Sequence, residues 1–371
     1  MNIQSIVLYN YRNYPQLNLN LSTNVNIFTG LNAQGKTNII EAVHFAAIGI
    51  SHRTRNENEL IYWGEKNATI NIKFSRRQIL SNLKFYLQKG MHKKIEFNGE
   101  FIKQKNLPGI LTMILFSPED LMLIKGSPIM RRRFLDIELS QIDLRYYAEL
   151  VKYNKILSQR NNLLKKLREN NSFIDMLDTW DEQFANSASF IVAKRLNGIN
   201  ILNNLVQKIH KSISNGTETL TIKYIMHKNS EIKNTINDNL LYNWFKDNLK
   251  KYREKDIFRG SSSIGPHRDD IDFFINEINL KSFGSQGQQR SSVLSLKLAE
   301  LNFLNQETGE YPVLLLDDVM SELDSNRRNN LLLFLQEKNI QTLITATDRD
   351  LFKYSDKNKF FTVNNGVVLA K

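Results

Sequence analysis

The sequence predicts an α/β fold: a mixed sheet with helices and an antiparallel β meander, interrupted by a mainly helical insertion. Three observations predict it. A short apolar strand runs into the stretch GLNAQGKT, residues 30–37, and then into an apolar helix. Residues 68–102 alternate apolar and polar positions, which is typical of strands. Between about Asp120 and Lys255, apolar residues recur every three or four positions, which is typical of amphipathic helices.

Composition limits the kind of protein this is. A chain of 371 residues is long enough for about two domains. The absence of cysteine excludes a disulfide scaffold, a thiolate metal site and a cysteine nucleophile. The net charge of +12 favours a polyanionic partner such as nucleic acid, or an anionic membrane surface, over general basicity with no partner. The N-terminus does not resemble a signal peptide and no apolar run is long enough to span a membrane, so we expect a cytoplasmic protein without a membrane partner.

The first segment, residues 1–118, is rich in predicted strands. Asn98-Gly99 between alternating runs predicts a hairpin turn in the meander. The predicted elements in order are strands within residues 1–21, a strand at 24–29, a helix at 38–50, the meander at 68–102 and a strand at 111–116.

The second segment, residues 119–256, is the helical insertion. Two long amphipathic helices, starting near Leu144 and Leu177, are separated by a polar break at 168–172, and we expect an antiparallel helical hairpin. The stretch TLTIKYIM, residues 219–226, is a lone strand candidate within it.

The third segment, residues 257–371, returns to the α/β pattern. Its predicted elements are strands in 270–280, a helix after the polar stretch FGSQGQQRSS (283–292), a strand at 313–316, a helix at 326–338, a strand at 341–345 and a C-terminal strand pair joined by Asn364-Asn365-Gly366.

The stretch GLNAQGKT fits the pattern G-x-x-x-x-G-K-[ST] between a strand and a helix. There, backbone N–H groups and the helix N-terminus bind phosphate oxygens, Lys36 supplies a positive charge, and the hydroxyl of Thr37 binds Mg²⁺. The alternative is a chance match. The predicted nucleotide-binding residues of this loop are Gly30, Leu31, Asn32, Ala33, Gln34, Gly35, Lys36, Thr37 and Asn38.

A second motif, VLLLDDVMSELD (313–324), delivers two carboxylates at the end of a buried strand. We expect Asp317 to hold Mg²⁺ and Asp318 to orient or activate the attacking water, so that Lys36 and Asp318 are the predicted catalytic residues. The alternative is a strand that simply runs into a helix cap, which Asp324 could provide.

The polar stretch FGSQGQQRSS discriminates among phosphate-loop proteins. Residues 284–288 resemble the L-S-G-G-Q signature of the ABC ATPase superfamily, and a serine hydroxyl with glycine N–H groups at a helix start makes a second anion cradle. A flexible loop with Ser285 as a helix cap is the alternative. In this superfamily the signature of one protomer faces the phosphate loop of the other, so Ser285, Gly287 and Gln288 are predicted to contact the partner's nucleotide.

The large insertion between the phosphate loop and the signature resembles the branch that contains Rad50 and the chromosome-maintenance ATPases. Over essentially its full length, the chain resembles the bacterial RecF family. The stretches that carry this resemblance are GLNAQGKTNIIEA, SHRTRNENELI, FSPEDLMLIKGSPIMRRRFLD, SIGPHRDD, FGSQGQQRSS and LLLDDVMSELD.

The resemblance implies an ABC-type P-loop ATPase head whose first part is 1–118, whose helical arm is 119–256, and whose C-terminal part, with signature and second carboxylate motif, is 257–371. It also implies an ATP- and Mg²⁺-dependent homodimer that binds gapped duplex DNA at double- to single-strand junctions. Such a protein acts with RecR, less directly RecO, to help RecA load during recombinational and replication-gap repair.

The resemblance also assigns arginines. Arg12 resembles an arginine near the nucleotide phosphates, the alternative being an exposed arginine beside a strand. Arg53 and Arg55 match an arginine loop that reaches phosphate or DNA, or is simply solvated. Arg76 and Arg77 are further DNA-binding candidates, the alternative being a solvated face. Arg131 to Arg133 are expected to form structural ion pairs, the alternative being contact with DNA phosphate. Residues 321–324 match a loop that crosses the dimer contact.

Two differences from related ATPases narrow the predicted function. No histidine follows the strand at 341–345, which argues against a transporter ATPase. Asp318 stands where many relatives have glutamate, so we expect a weak, DNA-stimulated ATPase that acts as a switch and not as a motor. The main alternative is a chromosome-organising head like those of the SMC proteins and Rad50, for which the insertion is too short to form long coiled coils. A phosphate-loop kinase would leave the signature without a purpose, and His267, which has no nearby histidine or cysteine, is not expected to bind a metal.

Overall fold

The structure, a computed structural model, describes residues 1–226, 238–321, 323–349, 351–352 and 358–370. The chain divides into two compact units. The first unit contains Met1–Asp120 and Glu300–Lys371, and the second contains Leu121–Ala299. No helix among the described residues is both long and apolar enough to cross a membrane.

Secondary structure in the described residues follows the predicted order. The strands are β1 (Asn2–Tyr11), β2 (Tyr14–Asn20), β3 (Val25–Thr29), β4 (Asn67–Arg76), β5 (Ile79–Gln88), β6 (Lys94–Phe97), β7 (Glu100–Ile102), β8 (Met113–Phe116), β9 (Leu220–Ile225), β10 (Asp270–Ile275), β11 (Ile278–Asn279), β12 (Val313–Asp317), β13 (Thr342–Ala346), β14 (Lys359–Asn364) and β15 (Val367–Ala370). The α-helices are α1 (Lys36–Ile48), α2 (Met122–Lys125), α3 (Pro128–Ile142), α4 (Leu144–Leu167), α5 (Asp175–Ile213), α6 (Asp238–Lys251), α7 (Arg253–Arg259), α8 (Leu280–Phe283), α9 (Gln286–Thr308) and α10 (Ser325–Glu337).

A mixed sheet forms the centre of the first unit, with strand order β15-β14-β3-β13-β12-β8. All its neighbouring strands are parallel except β14 and β15. Every residue of β3, β12 and β13 is buried, as expected for parallel strands that are covered on both faces. Parallel strands end at the same edge, so the residues that follow β3 and β12 lie at one edge of the sheet.

An antiparallel sheet of order β2-β1-β4-β5-β6-β7 accompanies it in the same unit. The predicted turn is present, since Asn98 and Gly99 both have positive φ angles, of 50° and 91°, between β6 and β7. The buried face of this sheet and helix α1 share one hydrophobic core with the mixed sheet, and the rings of Phe45 and Phe85 lie 5.3 Å apart within it. Helix α1, which begins at the phosphate loop, is therefore fixed by apolar packing on two sides.

The second unit contains the predicted helical hairpin, in which α4 packs against the 39-residue helix α5. Its interior holds a buried arginine compensated by two carboxylates. Arg160 is fully buried and donates to Asp181 over 2.7 Å and to Asp256 over 2.9 Å. A buried guanidinium is tolerated only when carboxylates compensate it, so this cluster fixes how α4, α5 and α7 meet.

The structure differs from the expectation about the strand at 219–226. Strand β9 is not alone, because it pairs antiparallel with β10, and β10 pairs with β11. Leu220 lies opposite Ile275, a partner beyond the predicted end of the insertion at residue 256. Residues 257–299 consequently belong to the second compact unit, whereas the sequence assigned them to the ATPase lobe. Alternation in 270–280 indicated strands, but it carried no information about which sheet they join.

Candidate nucleotide site

The phosphate loop lies between β3 and α1. Its backbone conformation requires a residue without a side chain at two positions. Gly35 has φ of 112° immediately before α1, and a Cβ there would lie 2.5 Å from Nδ2 of Asn13 and 2.8 Å from the hydroxyl of Tyr14. A Cβ at Gly30 would lie 2.2 Å from the carbonyl oxygen of Val363. The loop is thus pressed against neighbouring strands, and glycine at both ends makes this possible.

Side chains outside the motif hold the loop in place. The hydroxyl of Tyr14 donates to the carbonyl of Gly35 over 3.0 Å, and Nδ2 of Asn13 donates to the carbonyl of Gln34 over 3.0 Å. The backbone N–H of Asn365 donates to the side chain of Gln34 over 2.7 Å. These hydrogen bonds hold the loop in one conformation. No sequence motif predicted them.

Lys36 is almost fully buried beneath the loop. Its ammonium donates to the carbonyl oxygens of Gly30, over 2.6 Å, and Leu31, over 2.8 Å. Burial lowers the pKa of Lys36, and the carboxylates of Asp318 and Asp317 partly offset this effect. A cation held in a glycine cradle at a helix N-terminus fits the binding of a polyphosphate.

The second motif meets the first at Asp317, the last residue of β12. Its Oδ1 accepts hydrogen bonds from the hydroxyls of Thr37, over 2.9 Å, and Thr345, over 2.6 Å. Asp318 turns away from the strand with φ of 56°, and its N–H donates to the Thr345 hydroxyl over 2.9 Å. The described part of the chain contains no group of three or more histidine or acidic side chains placed to hold a metal ion by themselves. A hydroxyl beside a carboxylate nonetheless fits Mg²⁺, which takes hard oxygen ligands and completes its shell with phosphate and water.

Arg12 and Arg53 meet at a buried acid. Arg12 donates to both carboxylate oxygens of Glu41, over 2.6 and 2.8 Å, and to the carbonyl of Glu59 over 2.8 Å. Arg53 donates to Oδ1 of Asn38 over 2.7 Å and lies 3.4 Å from Glu41. Two of the predicted arginines therefore lie beside the first two turns of α1, while Arg55 is exposed on the loop that carries Arg53.

Glu41 was not anticipated, although it is a single acid in the apolar helix NIIEAVHFAAI. Its side chain has no exposed surface. Burial by itself raises the pKa of Glu41, but hydrogen bonds from Arg12 and from the hydroxyl of Ser51 outweigh burial and leave the pKa below its usual range. Glu41 is therefore an ionised anchor that orients Arg12.

The signature residues lie in the second unit, at the start of α9. Gln288 N–H donates to the Ser285 hydroxyl over 3.2 Å, and the Gln288 side chain accepts from the Ser285 N–H over 2.9 Å, which is a capping box. The Gln288 amide also donates to Glu218 over 2.9 Å, and the other oxygen of Glu218 lies 3.1 Å from the buried His210. Both Ser285 and Gly287 are exposed, and a Cβ at Gly287 would approach only the Ser285 hydroxyl, at 3.9 Å.

The remaining basic candidates differ in their surroundings. Arg76 donates to the carbonyl of Gly109, and Arg77 donates to the carbonyl of Thr308 over 2.9 Å. Arg131 is buried and forms a bidentate pair with Asp270 over 2.7 and 2.8 Å. Arg131 thus forms the structural ion pair expected of it, whereas Arg132 donates to the backbone carbonyl of Asp269 over 2.6 Å.

Two other predicted features can be placed. In the loop at 321–324, the Ser321 hydroxyl donates to the carbonyl of Asp318 over 2.8 Å, and Asp324 caps α10 by accepting from the N–H of Arg327 over 2.9 Å. Glu322 lies outside the described residues. His267 lies beside the Tyr153 hydroxyl, at 2.5 Å.

Comparison with known proteins identifies relatives along the whole chain. The family model described as RecF/RecN/SMC N terminal domain matches residues 2–368. The DNA replication and repair protein RecF of Clostridium botulinum (strain Okra / Type B1) is 45% identical over 372 aligned residues, covering 99% of this chain and 99% of that protein. The protein of the same name from Clostridium beijerinckii is 46% identical over 373 aligned residues, covering 100% of this chain and 98% of that protein.

Solved structures agree with the sequence relatives. A structure of the recombination mediator protein RecF with ATP, in the RecFOR pathway, superposes with a TM-score of 0.92 at 36% identity, covering 100% of this chain and 97% of that chain. The Smc head domain of Pyrococcus furiosus superposes with a TM-score of 0.59 at 15% identity, covering 100% of this chain and 96% of that chain, which shows a shared fold. The predicted fold class, an ABC-type ATPase head interrupted by a helical insertion, is confirmed.

Proposed function

The chain belongs to the RecF family of DNA replication and repair proteins, and we propose that it binds DNA as a homodimer under the control of ATP. On this proposal, ATP joins two copies, the closed dimer holds gapped duplex DNA at a double- to single-strand junction, and slow hydrolysis releases it. Its partners would be RecR and, less directly, RecO, which help RecA load at the gap.

One observation carries the nucleotide part of the proposal. The Thr37 hydroxyl donates to Asp317 over 2.9 Å, although 280 positions separate the two residues. A phosphate loop and a strand-end carboxylate that converge in this way are the arrangement that phosphate-loop NTPases use for a nucleotide with Mg²⁺. A relative at 36% identity has been solved with ATP, which supports the same ligand here.

The residues have separable roles in this proposal. Lys36 and the backbone N–H groups of residues 30–38 would bind the phosphates, and Thr37 with Asp317 would hold Mg²⁺. The metal ion would neutralise charge on the phosphates when it is bound. Asp318 would orient the attacking water. Because its carboxylate is one methylene shorter than that of glutamate, we propose slow turnover, which suits a switch.

The proposal of a dimer is supported by Gly287, because no described neighbour within the same chain requires glycine at this position. Gly30 and Gly35 are each forced by a close neighbour, but at Gly287 a side chain would meet only the Ser285 hydroxyl, at 3.9 Å, among the described residues. Glycine is also a poorer helix former than alanine, by up to about 1 kcal/mol in a helix interior. A requirement for glycine from outside the chain would explain it, and the nucleotide of a second copy is the ligand that the signature sequence suggests.

DNA binding is supported by the net charge of +12. Of the four arginine candidates, Arg53 contacts Asn38 beside the phosphate loop, and Arg55 is exposed on the same loop. We therefore propose Arg55 as the first candidate to contact DNA. Arg76 and Arg77 remain candidates, although part of each guanidinium is used by backbone carbonyls.

The alternative, a chromosome-organising head, is less well supported. The SMC head is similar to this chain at 15% identity, whereas RecF proteins reach 46%. The helical hairpin consists of helices of 24 and 39 residues, or about 36 and 58 Å at 1.5 Å per residue, much shorter than a coiled-coil arm.

The test is binding of fluorescent gapped duplex DNA, measured by anisotropy with and without ATP and Mg²⁺. We expect tight binding only with ATP, and loss of this ATP dependence in Lys36→Met. Lys103→Met, at an exposed lysine of the same unit, is the matched control and should retain the dependence. Equal binding with and without ATP in the wild type would contradict the proposal.

A further inference from the structure

Trp63 is the most exposed of the large hydrophobic residues that the structure describes, at 92%. An exposed tryptophan is uncommon, because this side chain buries more apolar surface than any other when it finds a partner. Trp63 follows the short bridge between Ile61 and Tyr11, the last residue of β1. Its exposed aromatic face is available to stack on a planar ligand.

The backbone that carries Trp63 is fixed to the phosphate site. The N–H of Arg12 donates to the carbonyl of Leu60 over 2.8 Å, and the N–H of Tyr62 donates to the carbonyl of Asn10 over 2.7 Å. These bonds tie the Trp63 segment to the strand end that carries Arg12. The tryptophan is therefore held at a set place relative to Arg12.

A cleft extends from Trp63 to Asn38, in the first turn of the helix that follows the phosphate loop. Its volume is about 410 Å³, in the range of small-molecule sites. Its lining residues are Arg12, Asn13, Asn38, Arg53, Glu59, Tyr62 and Trp63. Two of these belong to the loop's own framework, since Asn38 lies in the first turn of α1 and donates to Asn13 over 2.8 Å, and Asn13 holds the carbonyl of Gln34.

We infer that the base of the bound nucleotide stacks on Trp63, with its ribose in the cleft between Trp63 and Asn38. This inference rests on the proposed function, because it places the base of the same nucleotide whose phosphates the loop would bind. The lining combines two arginines, Arg12 and Arg53, with the aromatic side chains of Tyr62 and Trp63, and it also includes Glu59, whose carbonyl accepts from Arg12. Basic and aromatic side chains in one cleft match the phosphates and the base of a nucleoside triphosphate.

Stacking of a base on an aromatic ring contributes measurably to affinity in nucleic-acid complexes, so removing it should weaken ATP binding on the order of ten-fold. Phosphate binding should not change, because Lys36 and the glycines are untouched. Trp63→Ala should fold normally, since its side chain is 92% exposed.

The experiment compares ATP with tripolyphosphate, which has the phosphates but no base. Affinities for both, with Mg²⁺, are measured by calorimetry on the wild type, Trp63→Ala and Trp63→Phe. We expect Trp63→Ala to weaken ATP about ten-fold and leave tripolyphosphate unchanged, while Trp63→Phe restores most of the ATP affinity. In a variant that carries Trp180→Phe and Trp244→Phe, ATP should quench the remaining tryptophan emission and tripolyphosphate should not.

Two results would overturn the inference: an unchanged ATP affinity in Trp63→Ala, or an equal loss for ATP and tripolyphosphate. Neither affects the proposed nucleotide site as long as tripolyphosphate binds and competes with ATP. Failure of the wild type to bind either ligand would instead refute the nucleotide site itself, and the base position with it.

Discussion

Gly35 shows how a single residue sets the shape of the phosphate loop. Its φ of 112° lies outside the conformations that other residues adopt readily, and any side chain would meet Asn13 and Tyr14 at under 3 Å. Both neighbours are already used to hold the loop through the carbonyls of Gln34 and Gly35. A side chain at position 35 would therefore displace the tethers together with the loop.

We predict that Gly35→Ala abolishes ATP binding, measured by calorimetry, while the far-UV circular dichroism spectrum stays native. Gly90→Ala is the matched control, because Gly90 also has a positive φ, 75°, but no atom lies within 4 Å of its added Cβ. The control should lose only about 1 kcal/mol of stability through backbone strain and keep its ATP affinity. Normal ATP binding by Gly35→Ala would show that the tethers are not needed.

His267 gives a second prediction at the residue scale. Burial lowers the pKa of His267 to about 4, and the nearby charges of Arg268, Arg132 and Arg160 act in the same direction. Between pH 6.5 and about 4 the unfolded chain therefore binds a proton that the folded chain does not. The free energy of unfolding should fall as the pH is lowered through this window, by up to roughly 3 kcal/mol from this residue.

The measurement is urea unfolding at pH 7 and pH 4.5 for the wild type and for His267→Asn. Other groups titrate in the same range, so the informative quantity is the difference between the two proteins. The variant should be less stable at pH 7 but lose less stability on acidification. Equal losses in the two proteins would contradict the buried, neutral His267.

At the scale of elements, the start of α9 is held by a series of side-chain hydrogen bonds. Gln288 completes the capping box with Ser285 and is held by Glu218, which also contacts the buried His210. His210 is further fixed by the Ser295 hydroxyl at 2.9 Å, on the same helix α9. Glu218 thus positions the signature without being part of it.

We predict that Glu218→Ala weakens ATP-dependent dimerisation several-fold, because Gln288 and the first turn of α9 lose their anchor. Glu218→Gln keeps an oxygen that accepts from Gln288 and should retain most of the dimerisation. Both variants should bind ATP as the wild type does, since the phosphate loop lies in the other unit. The measurement is sedimentation equilibrium with ATP and Mg²⁺, and identical behaviour of Glu218→Ala and wild type would exclude the positioning role.

Elements near a motif could be predicted from sequence, and elements fixed by distant partners could not. The phosphate loop and Asp317 follow from local patterns, because strand ends and glycine turns leave a signature within a few residues. The role of Glu41 depends on Arg12, which lies 29 positions away, and no local pattern shows that pairing. Likewise β9 looked like a single strand because its partner β10 begins some 45 residues later.

At the scale of the molecule, the two halves of the proposed ATP sandwich belong to different compact units of one chain. The phosphate loop and Asp317 are in the first unit, and Ser285 to Gln288 are in the second. Composition indicated a polyanionic partner through the charge of +12, but it could not say which basic residues face that partner. Arg131, for example, forms an ion pair with Asp270, a contact that the sequence alone does not show.

The central claim is that ATP brings two copies together through Ser285. The direct test is the molar mass in solution, measured by light scattering with and without ATP and Mg²⁺. We predict a mass near the 43.3 kDa of one chain without ATP and twice that with ATP. Ser285→Arg should bind ATP and stay a monomer, whereas Ser282→Arg, at another exposed serine of the second unit, should still dimerise. A wild type that stays monomeric with bound ATP, or a Ser285→Arg variant that dimerises, would contradict the account.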